Sequence, residues 1–278
     1  MRPPTSPLPT MLIDAHNHLQ EEVLVPCVEG LLDRARAAGV GEMWCNGTAE
    51  DDWQDVLDLA TANSDILPFF GLHPWFVKDR SPDWLTRLEQ FLDATPSAIG
   101  EIGLDRHIQD RDEPAQEEVF RAQLRLARTR GLPVTIHCLK AWGWMMDVIT
   151  DLPSLPPMLI HAYGGSAEVV QPLTRMGAFF SFGGSVLGEN HLRARAALQA
   201  VPLDRLLIET DAPALLPPEP FRLHTLVTPD GQQYNEPANL PAIAEGIAKL
   251  LGMPVERLTE ITAGNAFCLT ASLPSRAQ

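Results

Sequence analysis

Short apolar runs alternate with longer amphipathic stretches along most of the chain. The runs fall at 11–15, 42–45, 67–72, 98–104, 132–138, 158–162, 178–182 and 206–210. Each has the length of a strand and is bounded by polar or turn-forming residues. Between the runs, apolar residues recur at helical spacing. Val28, Leu31, Leu32, Ala35 and Ala38 do so ahead of Gly39, and Val119, Phe120, Leu124, Leu126 and Ala127 ahead of Gly131. A glycine just past the last periodic residue is a helix stop. Further helices are expected to begin near Asp51, Ser81, Trp142, Ala167 and Leu192, with the last two over 240–251 and 255–261. Strands alternating with helices imply parallel βαβ units. At 278 residues the eight runs predict an α/β fold, a (β/α)8 TIM barrel, for which about 250 residues is typical. An open, doubly wound sheet is the alternative. The expected layout is one catalytic barrel domain over 11–271, between a Pro-rich flexible tail over 1–10 and a C-terminal tail over 272–278.

Composition changes this picture in a few places. Lys and Arg number 21 against 36 Asp and Glu, a net charge of −15. Such a chain does not gather nucleic acid by bulk charge. If it handles a phosphate backbone, it does so locally, with metal ions or a few placed cations. Cys27, Cys45, Cys138 and Cys268 form no C-x-x-C pair and no small disulfide framework, which points to reduced thiols in a cytoplasmic protein. No apolar stretch is long enough for a transmembrane helix, and the N-terminus lacks the apolar core of a secretory signal.

The chemistry gathers where the apolar runs end. In a (β/α)8 barrel, active-site residues sit at the C-terminal ends of several strands. The first run leads into Asp14-Ala15-His16-Asn17-His18. Alternate residues of a strand share a face, so His16 and His18 point the same way, a pair suited to Zn²⁺ or another borderline metal. His73, Glu101 with Asp105, His137, His161, and Glu209 with Asp211 close the third, fourth, fifth, sixth and eighth runs. A lone histidine there is more often a satisfied core residue, and a lone buried carboxylate is costly unless paired or metal-bound. Here five of the eight histidines and the carboxylates Glu101, Asp211 and Glu209 fall at the same end of the strands. Imidazoles with one or two bridging carboxylates are the make-up of a one- or two-metal hydrolytic site.

These strand ends resemble the TatD family of metal-dependent deoxyribonucleases, within the amidohydrolase-like barrels. The matching segments run in order: Asp14-Ala15-His16-Asn17-His18-Leu19, Gly71-Leu72-His73-Pro74, Gly100-Glu101-Ile102-Gly103-Leu104-Asp105 and Ile136-His137-Cys138. His161-Ala162-Tyr163-Gly164-Gly165-Ser166, Glu209-Thr210-Asp211-Ala212-Pro213, Asn235-Glu236-Pro237-Ala238-Asn239 and Gly264-Asn265 follow. The resemblance implies a barrel with two divalent ions (Zn²⁺, Mn²⁺ or Mg²⁺) and DNA, as single strands or ends, for substrate. It implies that His16 and His18 bind the first ion, that Glu101 bridges the ions or binds one, and that His137 and His161 bind the second. Asp211 would bind metal and accept a proton from water, and His73 would lie near the scissile phosphate. Catalysis is thus expected of Asp211, Glu101 and His73. Glu209 and Asp14, two residues before Asp211 and His16, are expected either to orient ligands or to make plain core hydrogen bonds. Asp105 and the Asn235–Glu236 pair are expected to anchor rim loops.

The sequence departs from the family after the fifth run. Where many members carry an Arg and an acid, this chain has Leu139 and Lys140. A Lys is a point charge and does not replace the bidentate grip of an Arg. Lys140, Arg106 and His73 are therefore the expected substrate contacts. Trp75, Phe76, Trp142, Trp144 and Tyr163 are candidates for base stacking, with packing as the alternative for each. The loop over 215–234 either shapes a substrate groove or covers the barrel end. With few cations, action at strand ends or on short single strands is favoured over a grip on long duplex. The departure also keeps open a second function, hydrolysis of a small-molecule ester, lactone or amide by the same type of barrel.

Overall fold

Each apolar run becomes a strand in the computed structural model, which describes residues 11–274. The strands are β1 (Leu12–Asn17), β2 (Val40–Asn46), β3 (Ile66–Phe70), β4 (Ala98–Asp105), β5 (Val134–Leu139), β6 (Met158–Ile160), β7 (Ala178–Phe182) and β8 (Leu206–Ile208). They pair in parallel in chain order. The seam between first and last strand is drawn together at its C-terminal end. There Asp211 N donates to His16 O at 2.9 Å and His18 N to Ala212 O at 2.7 Å. The sheet is thus a (β/α)8 barrel, and its closure lies beside the histidine pair.

The helices are α1 (Val28–Ala37), α2 (Trp53–Ala62), α3 (Trp84–Ala94), α4 (Glu113–Arg130), α5 (Trp142–Thr150), α6 (Ala167–Arg175), α7 (Leu192–Ala200), α8 (Leu240–Leu251) and α9 (Val255–Leu269). The longest, α4, shows how local chemistry sets the ends. Asp112 accepts from Ala115 N at 2.9 Å, and Gly131 closes the helix at φ +68°, a conformation that glycine adopts without Cβ strain.

Two apolar layers result. The outer one lies between barrel and helices and includes Leu31, Val56, Phe70, Phe120, Val148 and Ile243. The inner one fills the barrel with Ile13, Trp44, Phe69, Phe179 and Leu207, and α9 closes the bottom with Ala263, Ala266 and Leu269. Asn265 ties α9 to the start of β8 by donating to Leu203 O and Leu206 O at 2.7 and 2.8 Å.

Several boundaries differ from the sequence expectation, among them β3, which stops at Phe70, two residues short of 72. Helix α9 runs on past residue 261 to Leu269, because its second half buries small residues in the barrel floor. Strands β6 and β8 stop two residues short of 162 and 210. Ala162 and Asp211 take left-handed backbone angles, φ +40° and +55°, so the chain has left the extended path. Residues 1–10 and 275–278, expected as tails, lie outside the described residues. Leu273, past the expected domain end at 271, packs against the inner layer. Among the described residues, no helix is long and apolar enough to cross a membrane.

Candidate active site

Glu101 stands at the centre of the polar cluster, and a register irregularity puts it there. Ile99 and Ile102 both pack in the outer layer, while Ala98 packs in the inner one. Strict alternation from Ile99 would turn Glu101 outward. The β4–β5 pairing instead slips between Ile99 and Ile102, and a slip of one residue moves a side chain to the other face. Glycines make room for this path. A Cβ on Gly103, at φ +151°, would stand 1.9 Å from the His137 carbonyl oxygen, and one on Gly71 would stand 2.7 Å from the Gly100 carbonyl carbon.

The two oxygens of Glu101 face different histidines. Oε2 lies 3.3 Å from Nε2 of both His16 and His18. Oε1 lies 2.8 Å from His161 Nε2, 3.0 Å from His137 Nδ1 and 3.3 Å from His73 Nε2. Asp211 Oδ1 is 3.6 Å from Nε2 of both His16 and His18. Three trios have their potential ligand atoms within 4.8 Å of one another: His16, His18 and Glu101; His16, His161 and Asp211; and His73, Glu101 and His137. The cluster therefore includes His73, which the sequence reading placed with the substrate, and sets His161 beside His16, where the two rings stack at 3.8 Å.

Hydrogen bonds fix which ring nitrogens are free. His18 Nδ1 lies 2.8 Å from the Asn46 carbonyl oxygen, which can only accept, so His18 donates there and a neutral ring turns a lone pair inward from Nε2. His137 Nε2 lies 3.1 Å from Asp105 Oδ2, which leaves Nδ1 to face Glu101. His73 is the reverse case. Its Nδ1 accepts from Trp75 N at 3.2 Å, so in the neutral ring the hydrogen sits on Nε2 and faces the cluster. His16 and His18 bring their Nε2 atoms to 3.1 Å of each other. At that distance the two nitrogens can share a proton or a cation. The donor set and this convergence fit divalent metal ions.

Burial and neighbours shift the charges. Burial pushes the Asp211 carboxyl up to about 7, against the pull of His161 and His18. It also drives His73 down to about 4, with Glu101 pulling the other way, so this ring is neutral at pH 7. Burial opposes the charge of His18 too, but the Glu101 and Asp211 carboxylates outweigh it and raise the ring to about 9. Burial likewise opposes ionisation of Glu101, and the surrounding imidazoles hold it well below its usual range.

Three further acids support the cluster without joining it. Asp14 accepts from Thr210 N at 2.7 Å and Thr210 Oγ1 at 2.6 Å, which holds the chain that carries Asp211. Glu209 accepts from Ala162 N at 2.8 Å and from Ser181 Oγ, with its Oε1 3.8 Å from His161 Nδ1. Asp105 differs most from the sequence reading, which put it at the rim. It is fully buried and takes His137 Nε2 and Trp75 Nε1, the latter at 2.8 Å. Asn235 and Glu236 anchor the 215–234 loop: Asn235 Nδ2 donates to Thr210 O at 2.8 Å, and Arg34 pairs with Glu236 at 2.8 Å.

The cluster forms the floor of a cavity of about 490 Å³ whose walls include Glu21, Thr48, Trp75, Phe76, Leu139, Ser185, His191 and Leu215. Neither Arg106 nor Lys140 is among its lining residues. Arg106 pairs with Glu113 at 3.1 Å and lies over the Trp144 ring, and Lys140 Nζ sits 2.9 Å from His107 Nδ1. Arg106 and Lys140, two of the three expected substrate contacts, thus lie outside the cavity lining, whereas His73 is part of it. Of the five candidate stacking residues, Trp142 and Tyr163 pack against each other, Trp144 bonds Glu117, and only Trp75 and Phe76 reach the cavity. His191 was missed in the sequence because it follows no apolar run and sits at the start of α7.

A (β/α)8 barrel with histidines and carboxylates converging at its strand C-termini defines a metal-dependent hydrolase. Comparison with known proteins narrows the class. The sequence model of TatD related DNases matches residues 13–270, and the chain belongs to that family. It is 34% identical over 263 residues to the uncharacterized metal-dependent hydrolase YabD of Bacillus subtilis, covering 92% of this chain and 97% of YabD. It is 35% identical to the 3′-5′ ssDNA/RNA exonuclease TatD of Pantoea ananatis, over 86% of this chain and 91% of that protein. Among solved structures it is similar to the TatD homologue YJJV of Escherichia coli. The TM-score is 0.85 and the identity 26%, over 94% of this chain and 98% of that one.

Proposed function

We propose that the protein hydrolyses phosphodiester bonds of DNA, working from a free end of a single strand with two divalent ions, Zn²⁺, Mn²⁺ or Mg²⁺. The observation that carries this reading is the two-sided seating of Glu101, with Oε2 toward His16 and His18 and Oε1 toward His137 and His161. One carboxylate between two imidazole sets is the arrangement that bridges a metal pair. In this reading His16, His18, Asp211 and Glu101 would hold a first ion, and Glu101, His137 and His161 a second. Divalent ions in such a site acidify water toward neutrality and offset charge on the phosphoryl group.

The chain's own groups do the rest. Asp211, whose Oδ1 faces His16 and His18 at 3.6 Å, takes the proton of the attacking water at its carboxylate. Neutral His73 donates from Nε2 to an oxygen of the substrate. Asp105 orients His137, and Glu209 orients the strand end that bears His161. The exonuclease name of the relatives supports the substrate assignment. The four unpaired thiols accord with a reducing, cytoplasmic setting.

The test is to strip the protein with chelator, restore Mg²⁺, Mn²⁺ or Zn²⁺ separately, and follow end-labelled single- and double-stranded DNA. Metal-dependent shortening from one end, lost in His161→Ala together with bound metal, is the expected result. DNA left uncut with every metal overturns the reading. In that case the absence of Lys and Arg among the residues lining the cavity favours a neutral ester, lactone or amide, and a panel of these would be screened.

A further inference from the structure

Trp75 is the one large aromatic at the cavity that is both open to solvent and fixed in place. The residue is 54% exposed, yet it is held at several points. Nε1 donates to Asp105 Oδ2 at 2.8 Å, its backbone N–H donates to His73 Nδ1 at 3.2 Å, and its ring stands edge-on to His73 at 4.9 Å. Leu139 and Leu215, 38% and 40% exposed, line the same cavity. Large exposed apolar groups gathered at one opening mark a contact surface. A held indole offers contact area with little ordering left to lose when a ligand binds.

What the cavity lacks points to the same occupant. Its lining holds no Lys or Arg, and Glu21 and Asp211 add negative groups. Arg106 is engaged by Glu113 and Lys140 by His107. A nucleotide entering here meets no Lys or Arg among the lining residues for its flanking phosphates, but it does meet an aromatic face for its base. We propose that Trp75, on a cavity that Leu139 and Leu215 also line, is a base-stacking subsite that sets the affinity for the nucleotide next to the scissile bond. This site holds its substrate through a base rather than through ion pairs to the backbone. Duplex ends, whose bases are already stacked, fit it less well than free single strands. The proposal rests on the deoxyribonuclease reading above.

The experiment is steady-state kinetics on short single strands carrying a tetrahydrofuran abasic residue in turn at each of the two terminal positions of both ends. Wild type, Trp75→Ala and Trp75→Phe are compared, with bound metal measured in each. For wild type, removing one particular base is expected to raise KM by about tenfold or more with little change in kcat, as loss of a stacked base does. Trp75→Ala is expected to show that raised KM on the intact strand, no further penalty on the abasic one, and wild-type metal content. Trp75→Phe keeps part of the penalty. If Trp75→Ala retains the full abasic penalty, or loses metal through the Asp105–His137 contact, the subsite is overturned while the nuclease reading stands. If wild type cuts no strand, the nuclease reading falls and takes the subsite with it.

Discussion

The two ends of the barrel use the same eight strands and differ in almost everything else. At the N-terminal end, Ile13, Phe69, Phe179 and Leu207 meet Ala263, Ala266 and Leu269 of α9 in an apolar, fully filled floor. At the C-terminal end the strands finish in buried histidines and carboxylates. Ala162, Asp211 and Lys140 take left-handed backbone angles there, and His16 Nδ1 and His161 Nδ1 are buried with no hydrogen-bond partner. Buried polar groups and positive-φ residues cost free energy. The lesson is a division of labour: apolar burial at one end offsets a cluster at the other that is arranged for chemistry rather than stability.

That division can be broken from either side. The largest effect is expected at the polar end. His161→Ala should cut hydrolysis on the order of a thousandfold or more and release metal, while thermal unfolding of the metal-free protein stays close to wild type. A metal-free variant that no longer folds would show that the cluster also carries the fold. At the apolar end, Leu269→Ala should do the opposite. Truncating a buried leucine costs about 2–5 kcal/mol, read by denaturant unfolding, with kcat per folded molecule unchanged. A kcat that falls with stability would mean that the two ends are coupled. A smaller effect separates support from ligation. Asp105→Asn should weaken metal binding by about 10–100-fold, measured by competition with a chelating dye, and leave the stoichiometry intact. An unchanged affinity would make the Asp105–His137 contact incidental.

The same contrast governs what the sequence made legible. The apolar runs gave the strands, since a buried parallel strand has to be continuously apolar. The histidines and acids stood out because each closes such a run. Pattern failed where geometry depends on neighbours. The slip between Ile99 and Ile102 leaves no mark in the residue string, so the inward turn of Glu101 rested on the family resemblance rather than on alternation. The second half of α9 hides its role because Thr262, Ala263, Gly264 and Asn265 make a weak amphipathic stripe, though Thr262, Ala263 and Asn265 are buried. Asp105 read as a rim residue, and only the fold shows that it receives both His137 and Trp75. Arg106 and Lys140 are close in sequence to the site, but Glu113 and His107 take them elsewhere.

In the proposed reading, the Glu101 carboxylate joins two metal positions. Metal-stripped protein titrated with Mn²⁺ and followed by electron paramagnetic resonance tests it most directly. Two ions per chain with a spin-coupled signal are expected, with loss of the coupling in Glu101→Gln. One ion per chain, or two that remain magnetically independent in the wild type, would contradict it.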